Sequence, residues 1–316
     1  MNTLLKSNPD IQSKPSSAGK PKKQEKRRKR EKLAAHLKPT ETPPPPPNAV
    51  VKTKPSIPNP SKPVSMQSDK TSMQQKMMAK LQGGRFRYIN EQLYTTTGRH
   101  AFELFQTEPT LFDEYHRGFR EQVEKWPQNP LDTYIQEALG KLRSLMQKPS
   151  SSSDVFTLID MGCGEAQLAR SVYTHPEYQR SEVERRFKIL SLDLVARNAF
   201  ITAANIAETG LPSASADWVL FCLSLMGVDC DRFLAEAHRL LKPNGVLKIA
   251  EVKSRFEDEK AFIATVTELG FKLKQHRTDN KMFVMFEFIK TAKSGGKRKR
   301  DADEKPLLKP CIYKRR

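Results

Sequence analysis

The sequence predicts an α/β fold: a doubly wound, mostly parallel sheet with an antiparallel last strand, preceded by a helical region and flanked by basic tails. Three observations carry this. From Asp154 onward, short apolar runs alternate with helical stripes. The first run ends in a glycine-rich turn, Asp160-Met161-Gly162-Cys163-Gly164-Glu165, immediately before a helix. The two final runs are too close in sequence for a crossover helix, so they are expected to pair antiparallel.

The elements follow in order. Residues 73–148 lack strand-like alternation and read as helical, interrupted at Trp126-Pro127-Gln128-Asn129-Pro130. Leu131, Tyr134, Ile135, Ala138, Leu142 and Leu145 then form a helical stripe. Lys148–Ser153 is a linker. Val155–Asp160 is a strand, Ala166–Tyr173 a short helix, Phe187–Asp193 a second strand, and Phe200–Asn205 a weaker third. Asp217–Leu223 is nearly continuously apolar, as a buried central parallel strand should be. Asp231–Leu241 places Phe233, Leu234, Ala237, Leu240 and Leu241 on one helical face and ends in the turn Lys242-Pro243-Asn244-Gly245. Gly245–Val252 is a strand, and Asp258–Leu269 a helix stopped by Gly270. Phe271–Lys274 and Met282–Ile289 close the sheet.

The flanks have a different composition. The 316 residues hold 55 Lys+Arg and 36 Asp+Glu, a net charge of +19. The charge is unevenly placed: 18 basic and 5 acidic residues in 1–80, 10 and 3 in 291–316, and 27 and 28 between. That excludes a uniformly basic globule and leaves a neutral domain carrying basic tails. Residues 1–70 hold 13 of the 22 prolines and no Phe, Trp or Tyr, too little apolar surface to offset chain entropy. The expected division is a disordered basic tail over 1–72, a helical region over 73–150, an α/β domain over 151–291 and a second disordered basic tail over 292–316. Basic runs at Lys22–Arg30, Lys297–Arg300 and Lys314–Arg316 read as nuclear-localisation or nucleic-acid patches. No apolar run approaches the roughly 18 residues of a membrane span, and no secretory signal is expected. The four cysteines form no C-x-x-C pair, so neither a zinc module nor a disulfide scaffold is expected, and no metal site.

The glycine-rich turn indicates a nucleotide-type ligand. Gly162 and Gly164 let the backbone approach a ligand closely. Position 167 is Gln where a dinucleotide fingerprint has glycine, and Glu165 would repel a pyrophosphate. A nucleoside without phosphates fits better, with S-adenosylmethionine the candidate; a plain strand–helix turn is the alternative. Asp193, ending the second strand, can accept both ribose hydroxyls or cap a helix. Asn205 and Ile206, at the end of the third strand, can hydrogen-bond an adenine edge and pack beside it. The segment Phe221-Cys222-Leu223-Ser224-Leu225-Met226-Gly227 lacks the Pro-Pro motif of exocyclic-amine methyltransferases and the Pro-Cys of cytosine C5 enzymes.

In this order, residues 154–290 resemble the Rossmann-like class I S-adenosylmethionine-dependent methyltransferases. Gly84-Arg85-Phe86-Arg87-Tyr88-Ile89-Asn90-Glu91-Gln92-Leu93-Tyr94, Tyr115-His116-Arg117-Gly118-Phe119-Arg120, Trp126–Pro130, Phe221–Gly227 and Ala250–Asp258 extend the resemblance to 73–290. Together they resemble the ribosomal RNA-processing protein 8 (nucleomethylin) family. The resemblance implies a nucleolar methyltransferase of large-subunit ribosomal RNA acting at adenine N1. Its partners would be ribosomal RNA and, in a silencing role, ribosomal DNA chromatin and silencing factors; the basic runs add nuclear import receptors. The alternative it leaves open is a cofactor-binding chromatin scaffold. By motif, His116 reaches the cofactor, and Gly162, Asp193 and Cys222 line the same pocket. Asn205-Ile206 stands where the family shows Asp-Met, which removes a charge and keeps an acceptor. Phe86, Tyr88 and Tyr94 are either base-stacking platforms or core, and Arg85, Arg87, Arg117 and Arg120 are candidates for RNA phosphates.

Overall fold

A computed structural model of the chain describes residues 72–147, 155–179, 186–292 and 306–313. The basic runs at 22–30, 297–300 and 314–316 and the linker at 148–153 lie outside the described residues.

Helices α1 (Ser72–Thr95), α2 (Gly98–Thr107), α3 (Thr110–Val123) and α4 (Pro130–Met146) precede the sheet. The second half of α1 buries Phe86, Ile89, Asn90, Leu93 and Tyr94, an i, i+3, i+4 stripe. It packs with Ala101 and Phe105 of α2 and Leu111, Phe112 and Tyr115 of α3. The break predicted at the two prolines is the α3–α4 connection. Asn129 caps α4 by accepting a hydrogen bond from Leu131 N at 3.0 Å, and Pro130 occupies the first helical turn, where its missing N–H costs nothing.

The sheet has seven strands: β1 (Phe156–Met161), β2 (Phe187–Asp193), β3 (Ile201–Ala203), β4 (Ala216–Cys222), β5 (Leu241–Val252), β6 (Phe271–Arg277) and β7 (Phe283–Lys290). Their spatial order is β3-β2-β1-β4-β5-β7-β6. The first five are parallel, and β7 enters antiparallel between β5 and β6, with Phe283 opposite Val252. Two helices follow β1: α5 (Gln167–Tyr173) and the short α6 (Pro176–Gln179). The helix α7 (Cys230–Leu240) follows β4, and α8 (Glu259–Glu268) follows β5. α7 and α8 cover one face through Phe233, Leu234, Phe262 and Val266. α4 and α5 cover the other through Tyr134, Leu142, Leu168 and Val172. Strands buried on both faces need the near-continuous apolar runs that the sequence shows.

Three local expectations are corrected. The turn at Lys242–Gly245 does not end an element. It is a bulge inside β5, because Ala216 pairs with Leu241 while Trp218 already pairs with Val246. The third strand ends at Ala203, so Asn205 and Ile206 lie in the turn beyond it. Residues 306–313, assigned by composition to a disordered tail, pack on the domain. Leu308 is buried in the α7–α8 face of the core, and the Tyr313 ring packs tilted against Phe86, centroids 5.1 Å apart. Asn90 Nδ2 donates to Cys311 O at 2.8 Å, and Arg255 Nε to Lys309 O at 2.9 Å.

Candidate active site

The carboxyl ends of the parallel strands open into a cavity of about 410 Å³, roofed by α2 and α3. A crevice at this sheet edge, beside the point where strand order reverses, is where doubly wound folds bind ligands. All six residues singled out in the sequence line it: His116, Gly162, Asp193, Asn205, Ile206 and Cys222.

The glycine turn sets the floor. Gly162 has φ +77° and Gly164 φ +60°, conformations that a side chain would strain. A Cβ on Gly162 would stand 2.5 Å from Ser224 Cβ, and one on Gly164 3.1 Å from His116 Cε1. The glycines therefore let Ser224 and His116 pack directly against the turn at the edge of the cavity. Asp193 Oδ2 accepts from Gly164 N at 2.6 Å and Oδ1 from Leu194 N at 2.7 Å. Burial raises its pKa to about 6, against the lowering effect of those two N–H donors. Asp160, only 2% exposed, is raised further, to about 7, by burial and by the neighbouring Asp193 charge. Two carboxyls so raised favour a ligand that brings positive charge.

The remaining groups are apolar or neutral. His116 on α3 is ringed by Phe112 (4.2 Å), Tyr115 and Phe119, and burial, helped by Arg120, lowers its pKa to about 4. It is a neutral imidazole at pH 7. Burial holds the Cys222 thiol well above its ordinary range, so it is a small apolar wall and not a nucleophile. Asn205 Oδ1 accepts from Ala207 N at 3.0 Å. The backbone thus uses one of the two lone pairs of the acceptor that Asn retains, leaving the other and Nδ2 for a ligand. Ser224 Oγ donates to Met161 O at 2.5 Å, fixing the segment after β4 against β1.

Several sequence expectations change. Phe86 and Tyr94 are core residues and do not face the cavity, while Tyr88 is exposed beside Arg85. Arg85 pairs with Glu114 at 2.8 Å and Arg120 with Glu165 at 2.5 Å, so Glu165 meets a guanidinium instead of standing as an uncompensated charge. The aromatic wall is Phe105, Phe112, Tyr115, Phe119, Trp126 and Phe233. Sequence reading missed this wall because aromatics at helical spacing look like core. It also passed over Asp160 as a binding residue, although an acid ending a strand before Gly-x-Gly was the available signal.

A pH dependence follows. A sulfonium or ammonium ligand binds the ionised carboxyls, so its affinity should rise as pH increases toward about 7 and level off above it. Below that, binding should release protons. Calorimetry in buffers of different ionisation enthalpy between about pH 5 and pH 8 measures both effects; an affinity independent of pH would remove the two carboxyls from the ligand.

A family described as hypothetical methyltransferase matches residues 72–316. A protein of Saccharomyces cerevisiae named 25S rRNA (adenine(645)-N(1))-methyltransferase is 42% identical over 282 residues, covering 78% of this chain and 72% of that protein. A Schizosaccharomyces pombe protein of the same name is 42% identical, covering 84% and 79%. An Arabidopsis thaliana protein named ribosomal RNA-processing protein 8 is 38% identical, covering 75% and 76%. Among solved structures, a TehB-like methyltransferase of Corynebacterium glutamicum superposes with a TM-score of 0.41 at 16% identity, over 58% of this chain and 100% of that one. On these matches, the chain belongs to the ribosomal RNA-processing protein 8 family of methyltransferases.

Proposed function

We propose that the protein is an S-adenosylmethionine-dependent methyltransferase of large-subunit ribosomal RNA, acting at adenine N1 in ribosome biogenesis. The observation that carries this reading is the 42% identity, over most of the chain, to two proteins named 25S rRNA adenine-N1 methyltransferases. The cavity fits the cofactor: glycines where a Cβ would intrude, two buried carboxyls for positive charge and ribose hydroxyls, and an amide at the far turn. When bound, S-adenosylmethionine supplies a methyl carbon that an adenine N1 lone pair takes directly, leaving the S–C electron pair on sulfur. No proton leaves N1, so the chain needs no general base, and positioning and exclusion of water do the catalytic work. Asp193 holds the ribose hydroxyls and Asp160 the α-ammonium. Neutral His116 closes the roof without opposing the sulfonium, and Cys222 packs against it. The base must be unpaired to enter, because N1 lies on its pairing edge.

The chain divides, in this reading, into a basic tether over 1–72, a helical cap over 73–150, the methyltransferase domain over 151–291 and a second basic end over 292–316. The tether and the terminal runs serve nuclear import receptors and RNA phosphates and place the protein in the nucleus, in the nucleolus. Contacts with ribosomal DNA chromatin and silencing factors would use the same basic segments.

Purified protein, methyl-labelled S-adenosylmethionine and unmodified large-subunit ribosomal RNA test the activity. Transfer of label to the RNA is expected; intact cofactor binding without transfer would refute it. Removing residues 1–71, which hold 16 basic and 5 acidic residues, should weaken RNA binding and flatten its dependence on log salt while sparing cofactor affinity. An unchanged salt slope would refute the tether.

A further inference from the structure

The cavity extends past the cofactor-type groups. Asp193 ends β2, and β7 stands four strand spacings away across β1, β4 and β5. At about 4.8 Å each, that is roughly 19 Å along the sheet edge. At the β7 side the lining changes to Phe119, Trp126, Asn129 and Leu131, from α3, the α3–α4 connection and the first turn of α4. Trp126 is wedged edge-on between Phe119 (5.6 Å, 83°) and Phe283 at the start of β7 (4.8 Å, 69°). Its indole is thereby locked in orientation while it still lines the cavity. Asn129 is fixed as well. Its Oδ1 caps α4 through Leu131 N, which commits the amide's orientation, and its Nδ2 has no protein partner among the described residues. A cavity-lining amide donor beside a braced aromatic ring is how a protein reads a base, by stacking and one edge hydrogen bond.

We propose that Trp126 and Asn129 form the subsite for the methyl-accepting adenine, with Trp126 walling the base and Asn129 Nδ2 donating to a ring nitrogen other than N1. This rests on the reading of the protein as an adenine-N1 methyltransferase. The donor's target follows from the chemistry. N1 must keep its lone pair for the methyl carbon and N6 carries only donated hydrogens, so the acceptors left are N3 and N7. N7 has no counterpart in a pyrimidine, so a contact there selects a purine, whereas N3 shares its edge with the pyrimidine O2 and would not. The cap and the donor are two halves of one side chain, and they can be separated: Asp and Ser both cap a helix as Asn does, and neither offers the amide donor.

The test uses the full chain. Asn129→Ser and Asn129→Asp should keep the thermal midpoint and the S-adenosylmethionine affinity, and lower kcat/KM for ribosomal RNA roughly 10- to 100-fold. RNA transcribed with 7-deaza- or 3-deazaadenosine triphosphate identifies the acceptor. With one of the two, wild-type protein should lose the same factor and Asn129→Ser should lose nothing more. A second readout needs no catalysis. The chain has two tryptophans, so Trp218→Phe leaves Trp126 as the sole indole. Its emission should be quenched by an oligouridylate carrying one adenosine, and not by the same strand with an abasic site. Asn129 variants with full activity, a fall in cofactor affinity, or no base-dependent quenching would each overturn the subsite. Quenching without methyl transfer by the wild type would leave the subsite standing and overturn the reaction instead.

Discussion

Asp193→Ala is expected to raise the Kd for S-adenosylmethionine by about 100-fold or more and to abolish methyl transfer at ordinary cofactor concentrations. The carboxylate ends β2, is 8% exposed, and is oriented by Gly164 N at 2.6 Å and Leu194 N at 2.7 Å. Those bonds aim the remaining lone pairs into the cavity, where ribose hydroxyls would donate. Alanine removes charge-assisted acceptors that no neighbour replaces. The fold should survive. Burial already raises the pKa of Asp193, so deleting it relieves a desolvated charge, although it leaves two backbone N–H groups to find water. Calorimetric titration with a parallel thermal melt separates the two effects. Unchanged affinity would show that Asp193 does not belong to the cofactor site.

The second large effect concerns Arg255, 1% exposed, whose guanidinium pairs with Glu251, 0% exposed, at 2.7 Å. Arg255 also donates to Leu225 O and Lys309 O and lies over the Tyr94 ring at 4.7 Å, while Glu251 accepts from Leu225 N. One ion pair thereby ties the segment after β4, which lines the cavity, to α1 and to the packed residues 306–313. Arg255→Ala strands the Glu251 charge in the core and should cost about 3–5 kcal/mol, a fall in Tm on the order of 10 °C. Replacing both partners, Arg255→Met with Glu251→Leu, should recover much of that loss, because no buried charge is left alone. Removing residues 306–316 should also destabilise, since it exposes the pocket of Leu308 and frees Asn90 and Arg255. Denaturant titration of the four proteins checks the series. A double variant no better than Arg255→Ala would show that shape, not charge, is what Arg255 supplies.

The sheet was legible in the sequence because its physics is local. A strand covered on both faces must be apolar throughout, as Asp217–Leu223 is, and the short gap before β7 forced an antiparallel pairing. Five of the six cavity residues were legible from strand ends and the glycine turn, positions that the fold alone carries to one edge; His116, on α3, was legible only through the motif resemblance. What was not legible depends on long-range packing. Phe105, Phe119 and Trp126 are spaced like core and become a wall only once α2 and α3 lie over the sheet. Phe86 and Tyr94 show the converse, motif aromatics absorbed by the packing of α1 against α2 and α3 and by Arg255. Composition also hid the C-terminal anchor. Pro306-Leu307-Leu308 and Ile312-Tyr313 form an apolar island, but the lysines and arginines around them give the whole segment the character of a tail.

The most direct test is the identity of the modified nucleoside. Large-subunit ribosomal RNA methylated by the purified protein is digested to nucleosides and resolved by chromatography and mass spectrometry. The expected result is label in 1-methyladenosine, lost with Asp193→Ala and reduced with Asn129→Ser. Label in N6-methyladenosine, in another nucleoside or in none would contradict it.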